Sequence, residues 1–383
     1  MHIGIDIRSL ASPIKTGVGE YTFELLNALF TIDHTNHYYL FASGRKKILT
    51  HLPEWKQPNV HYCPFPYSNK LLKLSTKLAG WPKLDHTITK QAGLPTGLDY
   101  FFSPSINFTA LSKKTPHIVM IHDLTFEFFP HFFSAKQRLW HLGSSPKKTC
   151  QTAKKIIVPS ENTKRDLVDH YQLDPNKINV IYHGYSTLFD GEKNTSEKEQ
   201  VQKKYDLPER FILFLGTIEP RKNILALIEG FETAARRLDP AIHLVIAGSP
   251  GWKNKPVFKR IAQSPFKERI THIGYIDTED KPGLYQAAEI FAYPSYYEGF
   301  GFPIIEAMAS GTPVITSNRS SLPEIAGSAA YFINPNKPHT IAEGLCRIVN
   351  DQELKNRLIT DGYEQVKKFT WMKAAEAWLK MLD

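Results

Sequence analysis

Short apolar runs alternate with amphipathic helical patterns along almost the whole chain, and this alternation restricts the fold more than any other feature. The runs Ile3–Ile7, Tyr38–Ala42, Val60–Tyr62, Tyr100–Phe102, His117–Ile121 and Lys155–Val158 lie in the first half. Phe211–Leu215, His243–Ala247, Ile270–Ile273, Ile290–Tyr293 and Pro313–Thr316 lie in the second. They suit parallel sheets covered by helices on both faces. Between the first two runs, Gly19–Phe30 reads as a helix with Tyr21, Leu25, Leu26 and Leu29 on one face. A chain of 383 residues exceeds one compact core and fits two domains. The polar stretch from Asp190 to Gln202 has almost no apolar residue and reads as a linker. The expected division is a doubly wound domain over residues 1–187, a linker over 188–205 and a second doubly wound domain over 206–366. The tail from Phe369 onward patterns as an amphipathic helix capped by Thr370.

Hydrophobic residues at 42% and charged residues at 22% are those of a soluble globular chain, which excludes the disordered and fibrous classes. No apolar run reaches the ~18 residues of a membrane helix, and Met1–Arg8 lacks the build of a signal peptide. Cys63, Cys150 and Cys346 are in no metal spacing and imply neither a disulfide frame nor a zinc site. A cytoplasmic protein is expected. The net charge of +9 is concentrated in the first half: 22 Lys and Arg stand against 14 Asp and Glu up to residue 190, and 25 against 24 beyond it. Such a half suits nucleic acid, an anionic membrane or a phosphorylated ligand, or is a solvated basic surface with no partner. Within residues 70–81, Lys70, Lys73 and Lys77 share one helical face, and Leu71, Leu74, Leu78 and Trp81 share another. That pattern fits a peripheral helix on an anionic membrane, and equally an ordinary half-buried helix.

The chemistry is concentrated in the second half. In Tyr296–Glu306, Glu298 and Glu306 flank a loop, Gly299, Phe300, Gly301 and Phe302, that joins a strand to a helix with Pro303 in its first turn. Backbone amides at such a junction bind anions, and a carboxylate just inside it accepts hydrogen bonds from a sugar diol. Together they suit a nucleoside diphosphate carrying a sugar. A capped helix with an acidic first turn is the alternative. Gly216-Thr217-Ile218-Glu219-Pro220-Arg221-Lys222-Asn223 follows another strand and precedes the helix expected over Ile224–Arg236. Arg221 and Lys222 at a helix N-terminus oppose its dipole by about 0.3–1 kcal/mol, which a bound diphosphate would offset. No Asp-x-Asp stands at a strand end, so the leaving group's charge is expected to be met by Arg221, Lys222 and loop amides without a metal ion.

These two motifs resemble the signatures of retaining glycosyltransferases of the GT-B fold, family four or group 1, and their wording is most similar to bacterial mannosyl- and rhamnosyltransferases of surface-polysaccharide assembly. The resemblance covers most of the second domain and the first more loosely. It implies two Rossmann-like domains facing a central cleft, with a last helix over 367–383 that returns to the first domain. It implies a nucleotide-sugar donor, a glycan or lipid-linked oligosaccharide acceptor, no cofactor and no nucleic acid, with GDP-mannose as the donor. Glu298 would contact the transferred sugar, Glu306 the ribose, and Arg221 and Lys222 the diphosphate. Gly216, Gly299, Phe300, Gly301 and Phe302 would hold sugar and phosphate, and Tyr275 with the Ala247–Gly251 loop would line the base pocket or serve only as turns. Many relatives carry arginine where Thr217 stands, which leaves Arg221 and Lys222 most of the charge. In the first domain His122 would touch the donor sugar, although a lone histidine after a strand is commonly structural. Asp123 takes no assigned role. Gly17 of Lys15–Tyr21 would approach the donor phosphate, with Gly19 as the turn residue. Two other readings stay open. A nucleotide-sugar epimerase on the same fold would need no acceptor, and a basic membrane- or nucleic-acid-binding module would not need Glu298 or Glu306.

Overall fold

A computed structural model describes residues 1–11, 17–44, 50–190 and 195–382, and they gather into two units. Unit 1 comprises residues 1–124, 135–184 and 371–383; unit 2 comprises residues 125–134 and 185–370. Each is an open, wholly parallel sheet among the described residues.

In unit 1 the strands are β1 (His2–Asp6), β2 (His37–Ser43), β3 (Val60–Phe65), β4 (Tyr100–Ser103), β5 (His117–Met120), β6 (Lys155–Val158) and β7 (Ile178–Val180), in the order β3-β2-β1-β4-β5-β6-β7. Ile3 aligns with Tyr38 on one side and Tyr100 on the other. Ile3, Ile5, Phe101, Ile118 and Ile156 are fully buried, as strands covered on both faces require. The helix Gly17–Ile32 turns Tyr21, Leu25, Leu26 and Leu29 inward and packs on the C-terminal helix Trp371–Leu382. Trp378 of that helix is fully buried, its ring 5.6 Å from Phe102.

Unit 2 carries β8 (Arg210–Leu215), β9 (Ile242–Ala247), β10 (Ile270–Gly274), β11 (Ile290–Tyr293), β12 (Val314–Ser317) and β13 (Ala330–Ile333), in the order β10-β9-β8-β11-β12-β13. Phe211, Ile212, Leu213 and Phe214 are fully buried, so β8 lies at the centre of an apolar core.

Several expectations change. The linker over 188–205 contains the helix Thr195–Lys204, whose Val201 is buried in the unit 2 core and lies against Gly283. One apolar residue in a polar stretch is enough to dock it, while residues 191–194 lie outside the described residues. Gly19 is not a turn residue but sits inside the helix Gly17–Ile32. Lys15 and Thr16 lie outside the described residues. The strands β7 and β13 were not foreseen: Asn179 interrupts the first, and both end their sheets, where half-buried residues dilute the apolar signal. Unit 2 also takes in Thr125–Ser134. Phe132 stacks on Tyr296 at 5.7 Å, and Trp252 Nε1 donates to the Phe132 carbonyl at 2.7 Å.

Truncating Trp378 to alanine would empty a site with no room to collapse, at a cost of about 3–5 kcal/mol. Chemical denaturation monitored on unit 1 reads this directly, and a loss below ~1 kcal/mol would mean that the last helix is not part of that core. A second expectation concerns pH. Burial holds the His117 imidazole down at about 4, with nearby Asp6 acting in the opposite sense, and its Nε2 lies 2.9 Å from Ser103 Oγ. A histidine lowered on folding contributes stability that is complete above its unfolded value of ~6.5 and lost as pH falls toward 4. Stability is expected to decline by roughly 2–3 kcal/mol more in the wild type than in His117→Gln across that window.

Candidate active site

In unit 2 the strand order reverses at β8: the chain proceeds outward through β9 and β10, then returns to place β11 on β8's other side. Loops leaving β8 and β11 therefore diverge, and the crevice at their carboxyl ends is where open parallel sheets bind ligands. The charged groups singled out in the sequence come from those two loops.

After β8 the chain makes a 3₁₀ turn, Pro220–Lys222, and Asn223 adopts a left-handed conformation (φ 57°) before the helix Ile224–Ala234 begins. Asn223 tolerates that conformation, and its Nδ2 donates to the carbonyls of Pro294 and Pro335 at 3.1 and 2.8 Å. Arg221 and Lys222 thus precede the helix rather than occupy its first turn. Their charges are met inside the protein. Arg221 Nη1 donates to Glu298 Oε2 at 2.5 Å and its Nε to Glu219 Oε1 at 3.0 Å. Lys222 Nζ reaches Glu298 Oε1 at 2.7 Å and the Tyr293 hydroxyl at 2.5 Å. Two cations and two carboxylates form one cluster, buried but for the partly exposed Arg221, with Lys222 and Glu298 only 8% and 5% exposed. Burial alone would raise the Glu298 carboxyl; Arg221 and then Lys222 overcome it and hold the group at about 2. Burial, then Arg221, lowers Lys222, with Glu298 acting against them. Charge balance within the cluster therefore needs no bound anion, contrary to the dipole argument drawn from sequence.

The loop after β11 is fixed at both ends. Glu298 N–H donates to Ser320 Oγ at 3.0 Å, and Ser321 Oγ lies 2.9 Å from the Glu298 carbonyl and 3.0 Å from that of Phe300. Gly301 has φ 111°, and a Cβ there would sit 2.9 Å from Leu322 Cδ2, so only glycine fits. The helix Phe302–Ala309 follows, with Pro303 in its first turn. Glu306, on that helix, is buried and accepts from Tyr285 Oη at 2.8 Å, while Lys281 Nζ lies 3.4 Å from its other oxygen. A hydroxyl and an ammonium thus fix Glu306 from one side.

The loops after β8, β9 and β10 are knit by main-chain bonds. Gly216 N–H donates to Ala247 O at 3.0 Å, Ile218 N–H to Ser249 O at 3.0 Å, and Gly248 N–H to Gly274 O at 2.6 Å. A Cβ on Gly248 would lie 2.0 Å from the Gly216 carbonyl oxygen, so the two loops touch through bare backbone. Tyr275, at the end of this stretch, is 58% exposed. Asp277 and Asp280 pair with Lys204 at 2.8 and 2.5 Å. Among the described residues no three His, Cys, Asp or Glu side chains gather as metal ligands.

In unit 1, His122 follows β5. Its Nε2 lies 2.9 Å from the Pro104 carbonyl oxygen, which can only accept, so the proton is on Nε2. Tyr21 meets the imidazole edge-on at 4.9 Å and His183 lies 5.8 Å away. Burial lowers both histidines, Pro104 and Asp123 partly opposing it at His122. Gly17 opens its helix, and a Cβ there would meet nothing within 4 Å, so the described conformation does not itself demand glycine. Sequence reasoning missed Tyr293, Tyr285, Lys281 and Ser321. Tyr293 ends a run already recognised as a strand, and its polar tip at a carboxyl end was the available signal. The others lie on neighbouring elements and carry no local mark.

Two parallel Rossmann-like sheets, one with a carboxylate–cation cluster at its switch point, are the framework of a GT-B glycosyltransferase. The family comparisons agree. Residues 15–187 match the model of glycosyltransferase family 4, and residues 195–365 match that of glycosyl transferases group 1. The chain belongs to this family. It is 27% identical over 366 residues to the O-antigen chain mannosyltransferase B of Escherichia coli, covering 94% of each chain. Sucrose-phosphate synthase from Thermosynechococcus elongatus superimposes with a TM-score of 0.76 at 20% identity, covering all of this chain and 98% of that one. Anabaena HepE, in complex with UDP and glucose, does so with a TM-score of 0.75 at 16% identity, over all of this chain and 99% of its own. At these identities the two structures show the shared fold.

Replacing Lys222 with methionine would leave Glu298 buried with one cation fewer, and breaking such a pair costs about 3–5 kcal/mol. The effect also has a sign in pH. A carboxyl held at about 2 contributes stability that is complete above ~4.5 and lost as pH falls toward 2; Lys222→Met raises the folded-state value, so its acid-dependent loss is smaller and is complete at a higher pH. Urea titrations from pH 7 to pH 3 test both; equal stability at pH 7 would show that Lys222 is not needed to balance the site.

Proposed function

We propose that the protein is a retaining, metal-independent hexosyltransferase that moves mannose from GDP-mannose onto a glycan or lipid-linked oligosaccharide acceptor. The observation that carries this reading is the cluster at the β8–β11 switch point, where Glu298 occupies both Arg221 and Lys222. The carboxylate takes hydrogen bonds that a diphosphate would take. When a donor binds, its diphosphate shares these two cations, and Glu298 turns part of its acceptor capacity to hydroxyls of the transferred sugar. As the bond from the anomeric carbon to the phosphate oxygen breaks, negative charge grows on that oxygen next to Arg221 and Lys222. The acceptor hydroxyl adds on the same face of the sugar, and its proton passes to the departing phosphate. No side chain is assigned as a covalent nucleophile.

Glu306, oriented by Tyr285, is the acceptor for the ribose diol. Gly216 and the amides of Gly299, Phe300, Gly301 and Phe302 serve the phosphate and sugar, and Tyr275 serves the base. In unit 1, Gly17 is assigned to the phosphate, and His122, neutral with its proton on Nε2, would offer Nδ1 to a sugar hydroxyl; both assignments rest on the family resemblance. Mannose as the sugar is supported by the name of the relative that matches over nearly the whole chain. A lipid-linked acceptor would place the protein on the cytoplasmic side of a membrane as a peripheral protein.

A screen of GDP-mannose against UDP-, dTDP- and ADP-sugars by thermal shift and nucleoside diphosphate release, with EDTA present, tests the proposal. GDP-mannose alone should raise the melting temperature and be slowly hydrolysed. Glu306→Ala should lose the shift, and Arg221→Lys, which keeps a cation beside Glu298, should lose roughly 10²–10³-fold in turnover. If EDTA abolishes turnover, metal independence is wrong; if no nucleotide sugar shifts the wild type, donor-dependent transfer is wrong. Product formed without any acceptor, as an isomerised nucleotide sugar, would instead identify an epimerase.

A further inference from the structure

The helix Asn69–Ala79 resolves the ambiguity of its sequence in an unusual way. An ordinary half-buried helix turns its apolar stripe to the core. Here Leu71, Leu74 and Leu78, spaced to share one face, are 60, 56 and 76% exposed, and Trp81 beyond the Gly80 cap is 65% exposed. Leu72, on the other side, is the helix's one buried residue. A second helix of unit 1, Ala135–Ser144, lies against it. A Cβ added to Gly143 would stand 3.2 Å from Lys77 Nζ and 3.6 Å from its Cε, so the lysine stem crosses that helix at close range. This neighbour also presents leucines outward: Leu139 and Leu142, one turn apart, are 66 and 76% exposed. Six large apolar side chains thus stand in solvent on two adjoining helices, far more than the scattered single exposures that need no explanation.

The charges along both segments are of one sign. No acidic residue occurs between Glu54 and Asp85, nor between Glu127 and Glu161. Lys70 and Lys77 border the first leucine row, and Lys136 and Arg138 accompany the second. All four are exposed. We propose that these two helices form a docking face for an anionic lipid bilayer, with the leucines and Trp81 entering the headgroup–acyl boundary and the lysines and arginine on anionic headgroups. A second copy of the chain would bring lysines against lysines across a self-complementary interface, which like-charge repulsion disfavours. Nucleic acid would use the basic groups but leave the leucines uncovered.

The face adjoins the ligand-binding edge of its own sheet. Lys73 points away from the leucines and is half-buried, close enough to Arg8 and Asp6, at the carboxyl end of β1, for both charges to act on it. Substrates of open parallel sheets bind at that edge. Docking there would bring a lipid-borne acceptor beside it. The face itself does not depend on which sugar is transferred.

The test uses the full chain and extruded vesicles, one set of phosphatidylglycerol and phosphatidylethanolamine, the other of phosphatidylcholine alone, in a flotation assay at low and high salt. Wild type should float with the anionic vesicles and weaken as salt rises. Lys70→Gln with Lys77→Gln should lower affinity roughly fivefold per lysine. Leu74→Glu with Leu78→Glu, and separately Leu139→Glu with Leu142→Glu, should abolish flotation. Because all four leucines are exposed, melting temperature and nucleoside diphosphate release in solution should stay at wild-type values. These controls separate loss of the face from failure of the donor reading. Equal binding to both vesicle types, no binding to either, or leucine variants that float like wild type would overturn the proposal. So would a concentration-dependent dimer in light scattering that the leucine variants dissolve, since the face would then be a contact between copies of the chain.

Discussion

Glu298 sits where two loops must be held together, and much of the geometry of unit 2 depends on its two cationic contacts. One carboxylate, buried on the loop after β11, binds Arg221 and Lys222, which lie on the loop after β8. Isolated in an apolar interior, any one of these charges would cost several kcal/mol. Paired, and supplemented by Glu219 and the Tyr293 hydroxyl, they tie two diverging strand ends into one rigid edge. Opposed charges with two-pronged geometry also admit few alternatives, so the cluster fixes where each group points.

The same cluster links structure to chemistry. In the proposed reaction a donor diphosphate would draw on the same guanidinium and ammonium donors that Glu298 holds in place. The cost of desolvating Arg221 and Lys222 is met during folding, not at binding, which is the sense in which such a site is preorganised. Main-chain bonds among the loops after β8, β9 and β10, possible only because Gly248 lacks a side chain where it meets the Gly216 carbonyl, complete the edge. Glu306 sits in the same edge but is oriented separately, by Tyr285 and Lys281.

Unit 1 is built by the same rules with a different emphasis. Its carboxyl edge carries neutral, buried rings, with Tyr21, His122 and His183 packed together and Trp371 of the last helix stacked on His183 at 5.8 Å. Basic charge is instead displayed outward, on helices whose apolar residues are also outward. An edge that is rigid and nearly charge-neutral in unit 2 thus contrasts with a surface in unit 1 suited to a large, flat, anionic partner.

Local pattern was enough to determine a good deal. Eleven of the thirteen strands among the described residues, the helix after β1, the glycine loop between Glu298 and Glu306 and the terminal helix follow from periodicity and from residues whose conformational needs are local. Two edge strands, the docked helix Thr195–Lys204 and the allegiance of Thr125–Ser134 to unit 2 were not legible, because each is settled by what it packs against and not by its own propensity. The site divides in the same way. That Arg221, Lys222 and Glu298 follow strand ends, and that Glu306 lies on the helix after the glycine loop, was legible in the sequence. That Glu298 neutralises both cations, that Tyr285 holds Glu306, and that the leucines of Asn69–Ala79 turn outward were decided only in three dimensions. Arg221 and Glu298 are 77 positions apart, and a charge carries no record in sequence of which distant partner will share its burial.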